Sequence, residues 1–427
     1  MVFVAVPGVV TIPGKATHQQ TRAHNAALVL RALYDHGPVS RAEVSRMSGL
    51  TRTTVGDLVA ELIEEGMARE IGRGPSTGGK APILLELVDA ARHVVGLDLA
   101  ELRFRGALLD LRGNVVRTAE REVGGADGDA AVELVHELID ELSAGRTETL
   151  LGIGVGAPGI VDASTGTIRW AVNLNWPNLP LGDMLRERYG LPVQVANDSR
   201  AAALALQLFG ERQTGTANLV AITVGRGIGA GVVLGGELFH GDGFGAGEIG
   251  HTTVVEQGPE CRCGRIGCLE TVASSRALLR QALDAARSDP DGFLGSRLSD
   301  DGQLRLTDLV AGLAAGDRAT TDIVERAGRY LGQVIGGLIG VLDVERIVLH
   351  GSVAILGDQW LDAVRDEARR RSFPPLSANV TVDIAADIGD LVVMGASALL
   401  LTSELGLAAG RAAAGRAAGR ASARRAA

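Results

Sequence analysis

The sequence is poor in cysteine, lysine and long apolar runs. It has 427 residues but only three cysteines, too few to frame a chain of this size with disulfides. Two of them, Cys261 and Cys263, stand one residue apart, which points to metal ligation in a reducing compartment. The longest apolar runs, Val334–Leu342 and Leu391–Thr402, fall well short of the roughly 20 residues a membrane span needs. The apolar opening Met1–Gly14 lacks the positive n-region and small-residue cleavage site of a signal peptide, so a cytoplasmic location is expected. Lysine occurs only as Lys15 and Lys80, with arginine supplying the other basic charge, as GC-rich coding produces. A net charge of −9 excludes a uniformly nucleic-acid-coated surface but not one small DNA-binding domain. What is present is the balance of a globular protein, 46% hydrophobic and 22% charged. At roughly 150 residues per domain, two or three domains are expected.

Composition divides the chain. Residues 1–17 read as a flexible leader and 18–88 as helices followed by a hairpin. From His93 onward, glycine-rich apolar strand runs (Val94–Leu99, Leu151–Val155, Leu219–Val224, Arg346–Leu349) alternate with helical stretches, the pattern of an α/β fold over 92–405. Residues 408–427 hold only Ala, Gly, Arg and one Ser, which cannot bury enough apolar surface to order, so a disordered basic tail is expected.

Between 18 and 88 the spacing predicts a winged helix-turn-helix. Asn25–Tyr34 has a helical apolar period broken by Gly37-Pro38. Ser40, with Glu43 three residues on, forms a capping box that opens a helix over Arg41–Met47. Gly49 turns the chain and Thr51 caps a second helix with Val55, Leu58, Val59 and Leu62 on its apolar face. In such a unit the start of the second helix enters the major groove. Arg52 suits guanine or phosphate, and Thr53 and Thr54 suit phosphate or a thymine methyl. Strands at Ala68–Ile71 and Ile83–Leu87 flank a glycine-rich wing tip carrying Arg73 and Lys80, and Arg41 flanks the same face. Eight basic residues meet nine acidic ones between His18 and Ala90, so pattern carries this reading and net charge does not. The alternative is a small protein-interaction bundle.

The sharpest feature is His251 with Cys261, Cys263 and Cys268. Three thiolates and an imidazole make a closed tetrahedral set for a structural Zn2+, with no position left for a reactive water. Asn197-Asp198 follows a strand over Pro192–Val195, Glu248 lies three residues before His251, and Glu270 two after Cys268. Carboxylates and amides brought together can take paired hydrogen bonds from vicinal hydroxyls, which suits a polyol. Taken alone, each acid reads more readily as a solvated surface residue.

Glu248-Ile249-Gly250-His251, followed by Cys-Arg-Cys-Gly-Arg-Ile-Gly-Cys-Leu-Glu from Cys261, resembles the signature of the ROK family of repressors, open reading frames and sugar kinases. Ala157–Asp162, Asn173–Trp176, Asn197-Asp198 and His350-Gly351-Ser352 match further family landmarks in order, so the resemblance covers about residues 20–405. It implies an actin-like ATPase (ribonuclease H-like) pair of α/β lobes behind the winged helix-turn-helix. By resemblance Asn197, Asp198, Glu248, His251 and Glu270 are sugar contacts, His251 serving zinc with one nitrogen and the sugar with the other.

Family kinases carry Asp-x-Gly-Gly-Thr at the first phosphate hairpin. Here the stretch is Asp98-Leu99-Ala100-Glu101-Leu102, without the glycines and threonine and with a carboxylate added. The second hairpin reads Gly225-Arg226-Gly227-Ile228-Gly229-Ala230-Gly231, which keeps glycines but lacks the threonine. The expectation is therefore a sugar-responsive DNA-binding regulator, a repressor similar to the xylose and N-acetylglucosamine branch. It would bind operator DNA and a sugar effector as a homodimer or homotetramer, without catalysis. The alternative is an ATP-dependent carbohydrate kinase with an added DNA-binding domain, in which Asp198 would be the general base. A zinc-stabilised assembly protein without a ligand is the third class.

Overall fold

The computed structural model describes residues 18–75, 81–208, 217–385 and 390–406. The expected leader (1–17), the expected tail (408–427) and Lys80 lie outside the described residues. Two compact units divide the chain between Ala91 and Arg92, with Ser403–Leu407 grouping with the first.

The first unit holds α1 (His18–His36), β1 (Val39–Ser40), α2 (Arg41–Ser48), α3 (Arg52–Glu64), β2 (Ala68–Arg73) and β3 (Ile83–Leu87). Its local rules are those of the sequence. The Ser40 hydroxyl accepts the Glu43 N–H at 3.3 Å, while the Glu43 carboxylate accepts the Ser40 N–H at 2.8 Å. The Ser40 backbone N–H first, and then the Ser40 hydroxyl, which donates to the same carboxylate at 2.8 Å, hold the Glu43 carboxyl below its usual range. Gly49 closes α2 at φ +73°, a left-handed conformation that only glycine adopts without strain. Thr51 then caps α3, its hydroxyl accepting the Thr54 N–H at 3.2 Å. Val55, Leu58, Val59 and Leu62 are buried along one face of α3, and α1 packs against α2, α3 and β3. Each such aliphatic side chain withdrawn from water contributes about 1.5–3 kcal/mol. β2 and β3 form an antiparallel hairpin with Ala68 opposite Leu87 and Arg73 opposite Ile83. Sequence spacing misses β1, which pairs with the other edge of β3, because two residues show no period.

The second unit begins with β4 (His93–Leu99), β5 (Arg103–Asp110), β6 (Val115–Glu122), α4 (Gly128–Ser143) and β7 (Leu150–Ala157). It continues through β8 (Ile160–Asp162), β9 (Thr167–Ala171), β10 (Trp176–Leu179), α5 (Leu181–Tyr189), β11 (Val193–Asn197) and α6 (Asp198–Leu208). Its second half comprises β12 (Leu219–Val224), β13 (Ile228–Leu234), β14 (Glu237–Leu238), α7 (Glu270–Ala273), α8 (Ser275–Ser288), α9 (Leu306–Ala314) and α10 (Arg318–Leu342). β15 (Arg346–His350), α11 (Asp358–Arg371), α12 (Pro374–Ser377), β16 (Thr381–Ile384) and α13 (Leu391–Leu405) complete it.

Two five-stranded mixed sheets result, in orders β11-β7-β4-β5-β6 and β14-β13-β12-β15-β16. They share one plan: an antiparallel hairpin (β4–β5, β12–β13) whose first strand continues into parallel neighbours. All seven residues of β4 are buried, as a central strand covered on both faces requires. Separate apolar cores serve the halves, one around Val95, Leu97, Phe104 and Trp176, the other around Ile222, Leu331 and Trp360. No described helix is long and apolar enough to cross a membrane.

Candidate functional site

Parallel pairing of β4, β7 and β11 sets Asp98 opposite Gly156 and Asn197 opposite Ala157. Asp98 and Asn197-Asp198 therefore share the carboxyl-terminal edge of the first sheet, the edge where open α/β sheets bind ligands. Asn197 is buried and largely committed. Its Oδ1 accepts the Ser199 and Arg200 N–H groups at 3.0 and 3.3 Å, and its Nδ2 donates to the Gly159 carbonyl at 3.1 Å. It shapes the strand-to-helix turn and keeps at most one N–H for a ligand. Asp198 accepts the Ser199 N–H at 2.6 Å and the Ser199 hydroxyl at 3.2 Å, both on Oδ1.

Glu248 enters from the second half, just before a 3-10 turn over Ile249–His251. The Ala230 N–H on β13 donates to the Gly247 carbonyl at 2.8 Å. At Gly247, φ is +93° and any side chain would collide with the Ala230 carbonyl, so glycine is required there. The charges of His251, Asp198, Arg200 and Glu270 act on the Glu248 carboxyl, and Asn197 ends β11 immediately before Asp198. Burial pushes the Asp198 and Glu248 carboxyls up from their ordinary values, as it does for carboxyls withdrawn from water.

The four candidate metal-ligating side chains also meet. His251 and the three cysteines bring one ligand atom each to within 4.8 Å of one another. His251 Nδ1 lies 3.5 Å from Cys261 Sγ, and Cys263 Sγ lies 3.7 Å from Cys268 Sγ. Bonds of about 2.3 Å to sulfur and 2.0 Å to nitrogen at tetrahedral angles set ligand atoms roughly 3.5–3.8 Å apart, the separation that these two pairs show. A small knuckle holds it: the Cys261 N–H donates to the Arg265 carbonyl at 2.7 Å and the Gly267 N–H to the Pro259 carbonyl at 2.9 Å. Glu270 joins the two groups, with Oε1 3.2 Å from Cys261 Sγ and 3.9 Å from His251 Nδ1.

Two charged groups here escape sequence spacing. Arg200, fully buried in α6, donates through Nη2 to the Phe244 carbonyl and, at 3.0 Å, to the Ala246 carbonyl. It thereby pins the loop that delivers Glu248 and sets a positive charge beside Asp198 and Glu248. A lone arginine opening the apolar run Ala201–Leu206 was the available signal. Asp98 is the second. Burial, then the Asp390 charge, push its carboxyl up to about 7 against the opposing pull of Arg105, whose Nη2 lies 2.5 Å away.

In the first unit Arg52 and Thr53 are exposed on the first turn of α3 and Arg73 at the end of β2. Arg41 pairs with Glu70 at 2.9 Å. The Thr54 hydroxyl lies 2.9 Å from that of Thr51, so it serves the cap.

The model of the ROK family matches residues 94–403. The chain belongs to the ROK family. An IclR-type helix-turn-helix domain matches residues 23–72. A xylose repressor of Caldicellulosiruptor bescii is 30% identical over 91% of this chain and 98% of its own length. A glucokinase of Halalkalibacterium halodurans is 34% identical over 73% of this chain and 96% of its own. Among solved structures, a ROK family transcriptional regulator described as a homologue of the E. coli MLC protein superposes with a TM-score of 0.79 at 28% identity, covering 91% of this chain and 98% of that one. Fold and family therefore agree with the expectation of an actin-like ROK domain behind a helix-turn-helix.

Proposed function

We propose that this ROK protein is a sugar-responsive transcriptional repressor of carbohydrate-utilisation genes. The observation that carries the reading is the presence in one chain of an exposed α3 N-terminus in a winged helix-turn-helix and a carboxylate cluster suited to vicinal hydroxyls. The xylose repressor parallels 91% of the chain, whereas the glucokinase parallels 73% of it. Arg41, Arg52, Thr53, Thr54, Arg73 and Lys80 are assigned to operator DNA, and Asn197, Asp198, Glu248, His251 and Glu270 to the sugar. A two-fold operator calls for a homodimer or homotetramer, acting in the cytoplasm.

His251, Cys261, Cys263 and Cys268 would hold one structural zinc. When bound, the ion supplies folding free energy and cross-links the knuckle, with no open coordination position for catalysis. The reading includes no phosphoryl transfer, since Ala100 and Glu101 occupy the first hairpin turn where family kinases keep glycines. A sugar that binds one arrangement of the two halves better than another shifts the population towards it and so changes operator affinity. The test is a mobility-shift assay on the DNA upstream of the chain's own coding sequence, titrated with a panel of pentoses, hexoses and their phosphates. Release or tightening by one sugar is expected, and no DNA binding at all contradicts the reading.

A further inference from the structure

The two sheets of the second unit open alike, each with an antiparallel hairpin turned by three residues. Between β4 and β5 these are Ala100, Glu101 and Leu102; between β12 and β13 they are Gly225, Arg226 and Gly227. The middle residues of the two turns carry opposite charges, and they meet. Arg226 Nε donates to Glu101 Oε2 at 2.9 Å and its Nη2 to Oε1 at 3.2 Å. Arg276, in the first turn of α8, adds Nη2 at 3.0 Å from Oε2 and 3.4 Å from Oε1. Backbone geometry sets the two arginines side by side, because the Ser275 N–H donates to the Gly225 carbonyl at 2.8 Å. Two guanidinium groups thus converge on one carboxylate, and the buried Nε of Arg276 still has no hydrogen-bond partner among the described residues.

A guanidinium fork recognises carboxylate and phosphate oxygens by the same planar geometry. Two forks aimed at one point are more cationic than a single carboxylate needs. We propose that Arg226 and Arg276 form an oxyanion site which the chain fills with its own Glu101, and that this ion pair latches the two hairpins together. The wild-type chain then excludes phosphoryl anions from the site, and neutralising Glu101 admits them. The inference rests on the two hairpins alone and stands or falls apart from the repressor reading, because its test uses neither sugar nor DNA.

The test is calorimetric titration of the full-length protein with inorganic tripolyphosphate at low salt. Glu101→Gln keeps the shape of the side chain and removes its charge. It should bind tripolyphosphate at least about tenfold more tightly than the wild type, as charge-assisted contacts to two arginines require. The gain should vanish in Glu101→Gln/Arg226→Gln/Arg276→Gln. Hydrogen exchange on the same proteins reads the latch: the tips at 99–103 and 224–228 should exchange faster in Glu101→Gln and slow again on adding tripolyphosphate. The charge-swapped pair Glu101→Arg/Arg226→Glu gives an independent reading, since it should protect both tips better than Glu101→Arg alone. A gain below tenfold, a gain that survives loss of both arginines, or unchanged exchange at the tips would overturn the proposal.

Discussion

The cysteine knuckle and the carboxylate cluster lie side by side in the second unit yet are built in opposite ways. Three of the four candidate metal ligands fall within Cys261–Cys268, held by backbone bonds inside that stretch and to Val254, Val255 and Pro259 just before it. The carboxylate cluster draws on the β11–α6 turn, the loop that carries Glu248 and the start of α7, and is held by groups far apart in the chain, such as Arg200 on the carbonyls of Phe244 and Ala246. A locally built site depends on its own residues, whereas a site assembled across the fold depends on side chains that touch no ligand. That contrast can be broken by mutation.

The largest effect is expected at the knuckle. Cys263→Ser should bring the metal content of purified protein well below one zinc per chain and lower the melting temperature, because structural zinc contributes folding free energy outright. Elemental analysis with a thermal melt checks both, and unchanged stability of metal-free protein contradicts the assignment. Arg200→Leu comes next. Losing two charge-assisted bonds to part-buried carbonyls, and the charge beside Asp198 and Glu248, should destabilise by about 2–3 kcal/mol in urea unfolding while zinc content stays intact. If zinc is lost as well, the two sites are coupled and the contrast is weaker than drawn. Arg52→Ala, in the other unit, should weaken operator binding by about 1–3 kcal/mol in a mobility-shift assay and leave sugar binding unchanged.

The smallest effect separates the two sheets by pH. Asp98, in the first, has its carboxyl raised from 3.8 to about 7 by burial. Between those values the folded state keeps a proton the unfolded chain has released, so this contribution to stability falls as pH rises from about 4 to 7 and is flat above. His350, in the second, is pushed by burial from 6.5 down to about 4, with Nε2 2.9 Å from the Thr223 hydroxyl. There the unfolded chain binds the extra proton, and stability is lost as pH falls from about 6.5 to 4. From pH 5 to 8 the change in urea midpoint should therefore be more positive for Asp98→Asn than for wild type, and more negative for His350→Gln. Parallel profiles would show that neither group titrates in that range.

Legibility in the sequence follows the same division. Caps and periodicity locate α2 and α3 to within a residue or two, because Ser40, Gly49 and Thr51 act on their immediate neighbours. Of the strands of the second unit, β4, β7, β11, β12 and β15 are readable from their apolar runs, although β7 extends to Ala157 and β11 to Asn197, while the shorter or more polar strands between them are not. Spacing and family resemblance single out Asp198, Glu248, His251 and Glu270, and in the structure the charges of the other three act on Glu248. They do not reveal that Asn197 spends most of its amide on Gly159, Ser199 and Arg200, nor that Glu101 has two arginine partners more than a hundred residues away. Partnerships of that kind depend on register and loop path, which no local pattern encodes.

In the proposed mechanism the carboxylate cluster senses a sugar and the winged helix reports it. The most direct measurement is operator binding by wild type and Asp198→Asn across a titration of the active sugar, with sugar phosphate assayed in parallel in the presence of ATP and magnesium. The substitution keeps size and one acceptor but loses charge-assisted bonds, which are roughly twice as strong as neutral ones. The account predicts equal operator affinity without sugar, a response in Asp198→Asn only at much higher sugar concentration, and no sugar phosphate from either protein. Wild-type turnover that disappears in Asp198→Asn, or a sugar response identical in the two proteins, would contradict it.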